Sequence, residues 1–213
     1  MNISELKIRW HVFRCRRKSD TSTRYLMELA RCVASCPVQE DPAPILEVGT
    51  RSGGSALLIL KMLKSIYPKG KTLPYVLTID PYGMRPYEGE PFIYDERHYG
   101  QAKRNLVSYT NHIHYMMDSE LFLKLIDQLY IWDKAQRAKI DRFTLVYLDG
   151  SHDPDIVWSE MTQLLPMIIP GGYLIIDDTD WFEGELQKRL DNSSGNIPGK
   201  IRHNGKQSII QKL

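Results

Sequence analysis

The chain has 213 residues, of which 42% are hydrophobic and 25% charged. That composition suits one sizeable buried core and excludes a disordered chain. Its net charge of +2 gives no global argument for a nucleic-acid or membrane partner, although Lys7, Arg9, Arg14, Arg16, Arg17 and Lys18 make the amino end locally basic.

No apolar run approaches the ~20 residues of a membrane span, and residues 1–40 lack the apolar core of a signal peptide, so a soluble cytoplasmic protein is expected. Cys15, Cys32 and Cys36 have no second Cys or His pair nearby to complete a zinc site, which leaves free thiols. Residues 3–18 mix apolar and basic positions. Residues 20–35 make a better helix, capped by Asp20 or Thr21, with Tyr25, Leu26, Leu29, Ala30 and Val33 near one face. Residues 1–40 are therefore expected to form a helical cover, and residues 41–213 a single further domain.

After the breakers Pro42 and Pro44, the run Ile45-Leu46-Glu47-Val48 reads as a buried strand, and Gly49-Thr50-Arg51-Ser52-Gly53-Gly54 as a turn into a helix over 54–66. Glycine there lets the backbone approach a ligand, and the helix N-terminus offers free N–H groups. Glu47, Gly49, Thr50, Arg51, Gly53 and Ser55 are the candidate contacts. Arg51 breaks a dinucleotide G-x-G-x-x-G pattern and leaves the looser E-x-G-x-x-x-G. Pro68 and Gly70 end the helix, and Tyr75 to Asp80 predict a second strand. Alternating strands and helices imply a parallel α/β sheet, in which an acid placed like Asp80 can accept bonds from both hydroxyls of a ribose.

Residues 81–100 interleave Pro and Gly with Tyr82, Tyr87, Phe92, Tyr94 and Tyr99, and read as an aromatic loop over a ligand site or an ordered surface loop. A helix over about 96–109 and a strand over about 112–116 follow. Asp118 and Ser119 then either meet a ligand or cap the next helix, whose spacing (Leu121, Phe122, Leu125, Ile126, Leu129, Trp132) carries it to residue 132. His112 and His114 share a strand face without a third ligand.

Residues 143–149 predict a strand ending in Asp149, and Asp153-Pro154 the start of a helix. Gly171-Gly172 lead into Tyr173 to Ile176 and Asp177-Asp178. Asp149, Asp177 and Asp178 thus end neighbouring strands on one sheet edge. Three acids there would repel unless a cation shared them, and hard oxygen ligands suit Mg²⁺; otherwise Asp177, Asp178 and Asp180 cap the helix beginning near Trp181. Asn204-Gly205 predicts a type I′ turn in a final hairpin.

These motifs resemble a known family. Glu47 to Gly53 is similar to motif I of class I S-adenosylmethionine-dependent methyltransferases. The stretches Leu148 to His152 and Pro170 to Asp178 resemble the metal-dependent sugar O-methyltransferases of the mycinamicin and macrocin types and the cephalosporin hydroxylase-like proteins. The resemblance covers roughly residues 45–180. It implies a Rossmann-like fold with a seven-stranded, mostly parallel sheet, helices on both faces and an antiparallel last strand. It also implies S-adenosylmethionine held by the motif I residues, Asp80, Asp118, Ser119 and Asp149. Mg²⁺ or another divalent cation would be held by Asp149, Asp177 and Asp178, with His152 as general base. Asp177 departs from the family's usual Glu. Tyr82, Tyr87 and Trp181 are expected to stack on a sugar-containing acceptor.

The function so implied is Mg²⁺-dependent methylation of a hydroxyl on a sugar or glycosylated small molecule. The alternatives are a metal-independent methyltransferase acting on RNA or another acceptor, and a cofactor-binding partner without catalysis. No membrane partner is expected, a nucleic-acid partner is not favoured, and a homo-oligomer stays open.

Overall fold

The computed structural model describes residues 4–83, 96–133 and 136–213. Its centre is a seven-stranded sheet built from β1 (Ile45–Val48), β2 (Val76–Ile79), β3 (His112–Tyr115), β6 (Phe143–Leu148), β7 (Ile168–Ile176), β8 (Gly199–Asn204) and β9 (Gln207–Lys212). Their order is β3-β2-β1-β6-β7-β9-β8, with β9 antiparallel to both neighbours and the first five strands parallel. The strand order reverses between β1 and β6, and in such sheets ligands bind at the carboxyl ends beside that reversal.

Alternation along each strand makes two cores. Ile45, Val76, Leu145, Tyr147 and Ile175 face one side, where α1 (Glu5–Cys15), α2 (Thr23–Ser35), α3 (Gly54–Ile66) and α4 (Glu96–Leu106) pack. Leu46, Leu77, Val146, Leu148 and Ile176 face the other, under α5 (Ser119–Leu125), α6 (Pro154–Leu164) and α7 (Trp181–Asn192). The middle helix α3 is buried nearly all round, from Ser55 to Leu60 without a break. Each fully buried Leu or Ile there contributes roughly 1.5–3 kcal/mol. Its first residue must be small, because a Cβ on Gly54 would lie 2.2 Å from the Lys18 carbonyl oxygen.

Three details differ from the sequence reading. The helix after Ser119 stops at Leu125, a 3-10 turn follows, and β4 (Tyr130–Asp133) pairs antiparallel with β5 (Gln136–Lys139). The apolar spacing that suggested a helix to residue 132 runs into Tyr130-Ile131-Trp132, a β-branched and aromatic run better suited to a strand. Strand β7 begins five residues early, at Ile168, and its register shifts where Gly171 takes a positive φ of 78°. Ser22, rather than Asp20 or Thr21, takes the N-terminal boundary position of α2, and its side chain makes no capping hydrogen bond. Tyr87, Phe92 and Tyr94 of the aromatic loop lie outside the described residues. Among the described residues no helix is long and apolar enough to cross a membrane.

Candidate active site

The carboxyl ends of β1, β2, β6 and β7 open into a cavity of about 1170 Å³, roofed by residues 18–25 and by Lys206 of the last hairpin. At its floor, Gly49 takes φ 90°, and a Cβ there would lie 2.0 Å from the Asp149 carbonyl oxygen. Only glycine permits the ends of β1 and β6 to approach so closely. The turn that follows is tied to β2 through Asp80. Its Oδ2 accepts the Arg51 N–H (2.8 Å) and its Oδ1 the Tyr82 N–H (3.0 Å). Burial pushes Asp80 upward while those two amides hold it back, so this carboxylate braces the turn and still lines the cavity. The Arg51 guanidinium reaches Asp20 at 3.1 Å, fastening the turn to the roof.

Glu47 lies beneath this floor. It has no exposed surface, and neither carboxylate oxygen meets a hydrogen-bonding partner. The Ser55 hydroxyl is near enough to ease its ionisation but not in bonding geometry. Burial, with the Asp80 charge adding, pushes Glu47 up to about 8. At the far end of the cavity Asp118 caps α5 by accepting the Leu121 N–H (2.8 Å), and Ser119 begins that helix on the cavity wall. Glu160 of α6 completes this wall. Sequence reasoning overlooked it, yet it falls within the buried stripe Val157, Glu160, Met161 and Leu164, where an acid is out of place. Burial raises it to about 7.

The acidic wall is built at the ends of β6 and β7. Asp149, His152 and Asp178 each offer one ligand atom, and these atoms lie within 4.8 Å of one another. The His152 Nε2 is 3.1 Å from Asp178 Oδ2, and its ring packs on Trp181 with centroids 4.0 Å apart. The ammonium of Lys206 approaches Asp178 Oδ1 at 3.2 Å. His152 first, and then Lys206, hold Asp178 below the usual carboxylate range. Asp178 also takes φ 49°, a left-handed backbone that a side chain adopts at some cost.

Asp177 is brought to the same edge but turns inward. Its Oδ1 accepts the Asp178 N–H (3.0 Å), and its Oδ2 is 2.6 Å from the hydroxyl of Tyr147. That hydroxyl also lies 3.0 Å from Asp149 Oδ2, which accepts from Thr21 Oγ1 at 3.3 Å. A phenol has one proton and can donate to only one of the two acids. Burial, with the Asp177 charge adding, raises Asp149 well above its ordinary value, and burial, with the Asp178 charge adding, raises Asp177. Tyr147 had no sequence signal beyond its place in a strand; an inward-facing tyrosine two residues before Asp149 is the pattern that could have flagged it.

Trp181 lines the cavity, whereas the Tyr82 hydroxyl donates to the Arg51 carbonyl (2.6 Å) and its ring packs on Tyr99 and His114, behind the turn. Tyr87 lies outside the described residues.

Residues 46–179 match a family model described as a methyltransferase domain. The chain is 24% identical over 158 residues to the demethyldecarbamoylnovobiocin O-methyltransferase of Streptomyces niveus, a match over 72% of this chain that spans 59% of that protein's length. Among solved structures, the O-methyltransferase NovP superposes with a TM-score of 0.62 at 16% identity, covering 92% of this chain and 82% of NovP. The MycE methyltransferase of mycinamycin biosynthesis, solved with Mg and S-adenosylhomocysteine, gives 0.59 at 16% identity over 96% of this chain and 54% of its own. At these identities the two structures establish a shared fold.

Proposed function

Because the chain belongs to the methyltransferase-domain family, we propose that it is an S-adenosylmethionine-dependent O-methyltransferase acting, with a divalent cation such as Mg²⁺, on a hydroxyl of a sugar or sugar-containing natural product. The observation that carries this reading is the meeting of Asp149, His152 and Asp178 on one wall of the cavity whose floor is the Gly49 turn and Asp80. The names of the Streptomyces and mycinamycin relatives support the acceptor class.

The residues fit both groups. Beneath the floor the Glu47 carboxylate is buried without a partner, as an acid awaiting a cationic amino group would be, and Asp80, Asp118 and Ser119 line the path of a nucleoside. Asp149 and Asp177, joined through one phenol and both raised by burial, fit a divalent cation, with Asp149 and Asp178 as its carboxylates and Asp177 supporting Asp149 through Tyr147. When bound, the cofactor supplies an electrophilic methyl group and the cation acidifies and orients the acceptor hydroxyl. His152 is assigned the proton of that hydroxyl. Asp178 orients its ring and stabilises the imidazolium formed, a division of labour worth about 10²–10⁴-fold in rate. Trp181 carries one face of the imidazole and offers an aromatic surface to a sugar ring. Residues 18–25 act as the cover and exclude water from the transfer.

Transfer without a metal is a second reading. Lys206 favours it, since its ammonium already stands on Asp178 as a built-in cation. Methyl transfer from labelled S-adenosylmethionine to a panel of sugar hydroxyls, with and without excess chelator, separates the two. Loss of transfer on chelation and its return with Mg²⁺ is expected; undiminished transfer in chelator refutes the metal-dependent reading. His152→Ala, with S-adenosylhomocysteine binding measured alongside, tests the base.

A further inference from the structure

A second cavity, of about 360 Å³, lies between the 3-10 turn Arg16–Lys18 and helix α4, and among the described residues its wall carries Arg17, Lys18, Arg104 and His98 with one carboxylate, Asp20. That carboxylate is engaged at 3.1 Å by Arg51, which is not part of this wall. Lys18 donates to Asn105 Oδ1 at 2.8 Å, a neutral partner. Among the described residues no carboxylate pairs with Arg17 or with Arg104, whereas Arg9 and Arg31 pair with acids and Arg14 and Arg16 lie over the Trp10 and Phe13 rings. Three cations facing one small cavity repel one another, and the arrangement is relieved when an anion bridges them.

We propose that this cavity binds a phosphate or diphosphate group, held by the guanidinium groups of Arg17 and Arg104 and the ammonium of Lys18. A guanidinium presents two parallel N–H donors that match two oxygens of one phosphate, and two such groups from different elements can grip one phosphoryl unit from either side. The remaining wall is polar rather than apolar: Ser52 donates to Gln101 Oε1 (3.0 Å), and Asn105 Nδ2 donates to the Ser52 carbonyl (2.8 Å). This wall suits a hydrated anion and not the aglycone of a natural product. The cavity is distinct from the acidic wall at Asp149 and Asp178 but shares Lys18, Ser19, Asp20 and Ser52 with the larger cavity. A small phosphate-bearing molecule seated here would therefore touch the roof segment on its outer side.

The test is calorimetric titration of the full chain with inorganic pyrophosphate, and separately with UDP-glucose, in the absence of divalent cations. The wild type is expected to bind pyrophosphate saturably at one site. The exposed double variant Arg17→Ala/Arg104→Ala should weaken binding at least tenfold, while Arg17→Lys/Arg104→Lys, which keeps the charge but loses the paired donors, should fall between. S-adenosylhomocysteine affinity is read on the same variants and should stay within about twofold, which reports an intact fold. Tighter binding of UDP-glucose than of pyrophosphate identifies the phosphates as part of a nucleotide sugar; equal binding identifies a free phosphate anion. No saturable binding by the wild type, or equal binding by the double-alanine variant, overturns the proposal. A wild type that binds pyrophosphate but not S-adenosylhomocysteine counts against the methyltransferase reading alone.

Discussion

Glu47→Gln offers a quantitative test of the floor of the site. In the unfolded chain Glu47 ionises near its ordinary value of 4.5, but in the folded protein it keeps its proton to about 8. Between those values the folded state binds one more proton than the unfolded state, so this residue makes stability fall as pH rises, by about 1.4 kcal/mol per unit. The stability is present below pH 4.5 and lost progressively up to about 8. Glutamine, of nearly the same shape, does not titrate. The advantage of the variant over the wild type should therefore grow by roughly 4 kcal/mol between pH 5 and pH 8, an upper figure because water entering the site would lessen it. Urea unfolding of both proteins at half-unit steps of pH measures this difference, since titrations not coupled to Glu47 cancel and only Asp80 and Asp149, which feel its charge, add to it. Parallel stability profiles for the two proteins would refute the reasoning. The same substitution should weaken S-adenosylhomocysteine binding tenfold or more, because a neutral amide cannot balance a buried ammonium.

On the acid side, burial pushes His112 and His114, which share the Thr78 hydroxyl at 3.0 and 2.8 Å, down to about 4. Their contribution is intact above pH 6.5 and is lost as pH falls toward 4. Replacing either with Gln should flatten the acid limb of the urea stability profile by up to about 1.4 kcal/mol per unit, and an unchanged limb contradicts this. Gly49→Ala should be destabilised by several kcal/mol, roughly 3 or more, through the contact with the Asp149 carbonyl, and a melting temperature within a few degrees of wild type would count against it. Tyr147→Phe should lower divalent-cation affinity about 10- to 100-fold in a Mn²⁺ titration, as loss of a supporting hydrogen bond to a ligand does, with nucleoside affinity retained. His152→Ala should cut transfer by 10²–10⁴-fold while S-adenosylhomocysteine affinity holds within about twofold; retained transfer would remove His152 from its role as base.

Features specified by neighbours in sequence were legible in advance. The Gly49 turn, Asp80 at a strand end and Asp153-Pro154 opening α6 all carry local signals, and alternating strands and helices announce a parallel sheet. The last hairpin was legible too, but its two-residue turn is Gly205-Lys206 between the paired Asn204 and Gln207, with only Gly205 at positive φ, so it is not the type I′ turn expected at Asn204-Gly205. Long-range features were not legible. Tyr147 looked like one more strand residue until β6 and β7 stood side by side, and Lys206 is an ordinary turn lysine until the hairpin folds back over Asp178. Asp177 and Asp178 are adjacent in sequence and both border the cavity, so only the backbone turn at Asp178 reveals that one meets His152 and the other Tyr147. The β4–β5 hairpin was hidden by apolar residues whose spacing satisfies a helix as well as a strand.

The hairpin tip is fastened to the start of α2: Lys206 N–H donates to the Tyr25 hydroxyl at 3.1 Å, and Arg24 Nε to Asn204 Oδ1 at 3.1 Å. These partners are 181 and 180 residues apart. Joining ends separated by that length of flexible chain costs about 5 kcal/mol of loop entropy, which intervening structure must first reduce. During synthesis this part of the rim therefore gains its fastening only once residues 199–212 have left the ribosome, whereas the ties of Asp20 to Arg51 and of Thr21 to Asp149 need only the parallel sheet. The roof is thus held in two stages, its start by the turns after β1 and β6 and its far end, at Tyr25, by the hairpin tip, so the last strands to be made close a cavity that the sheet has already outlined.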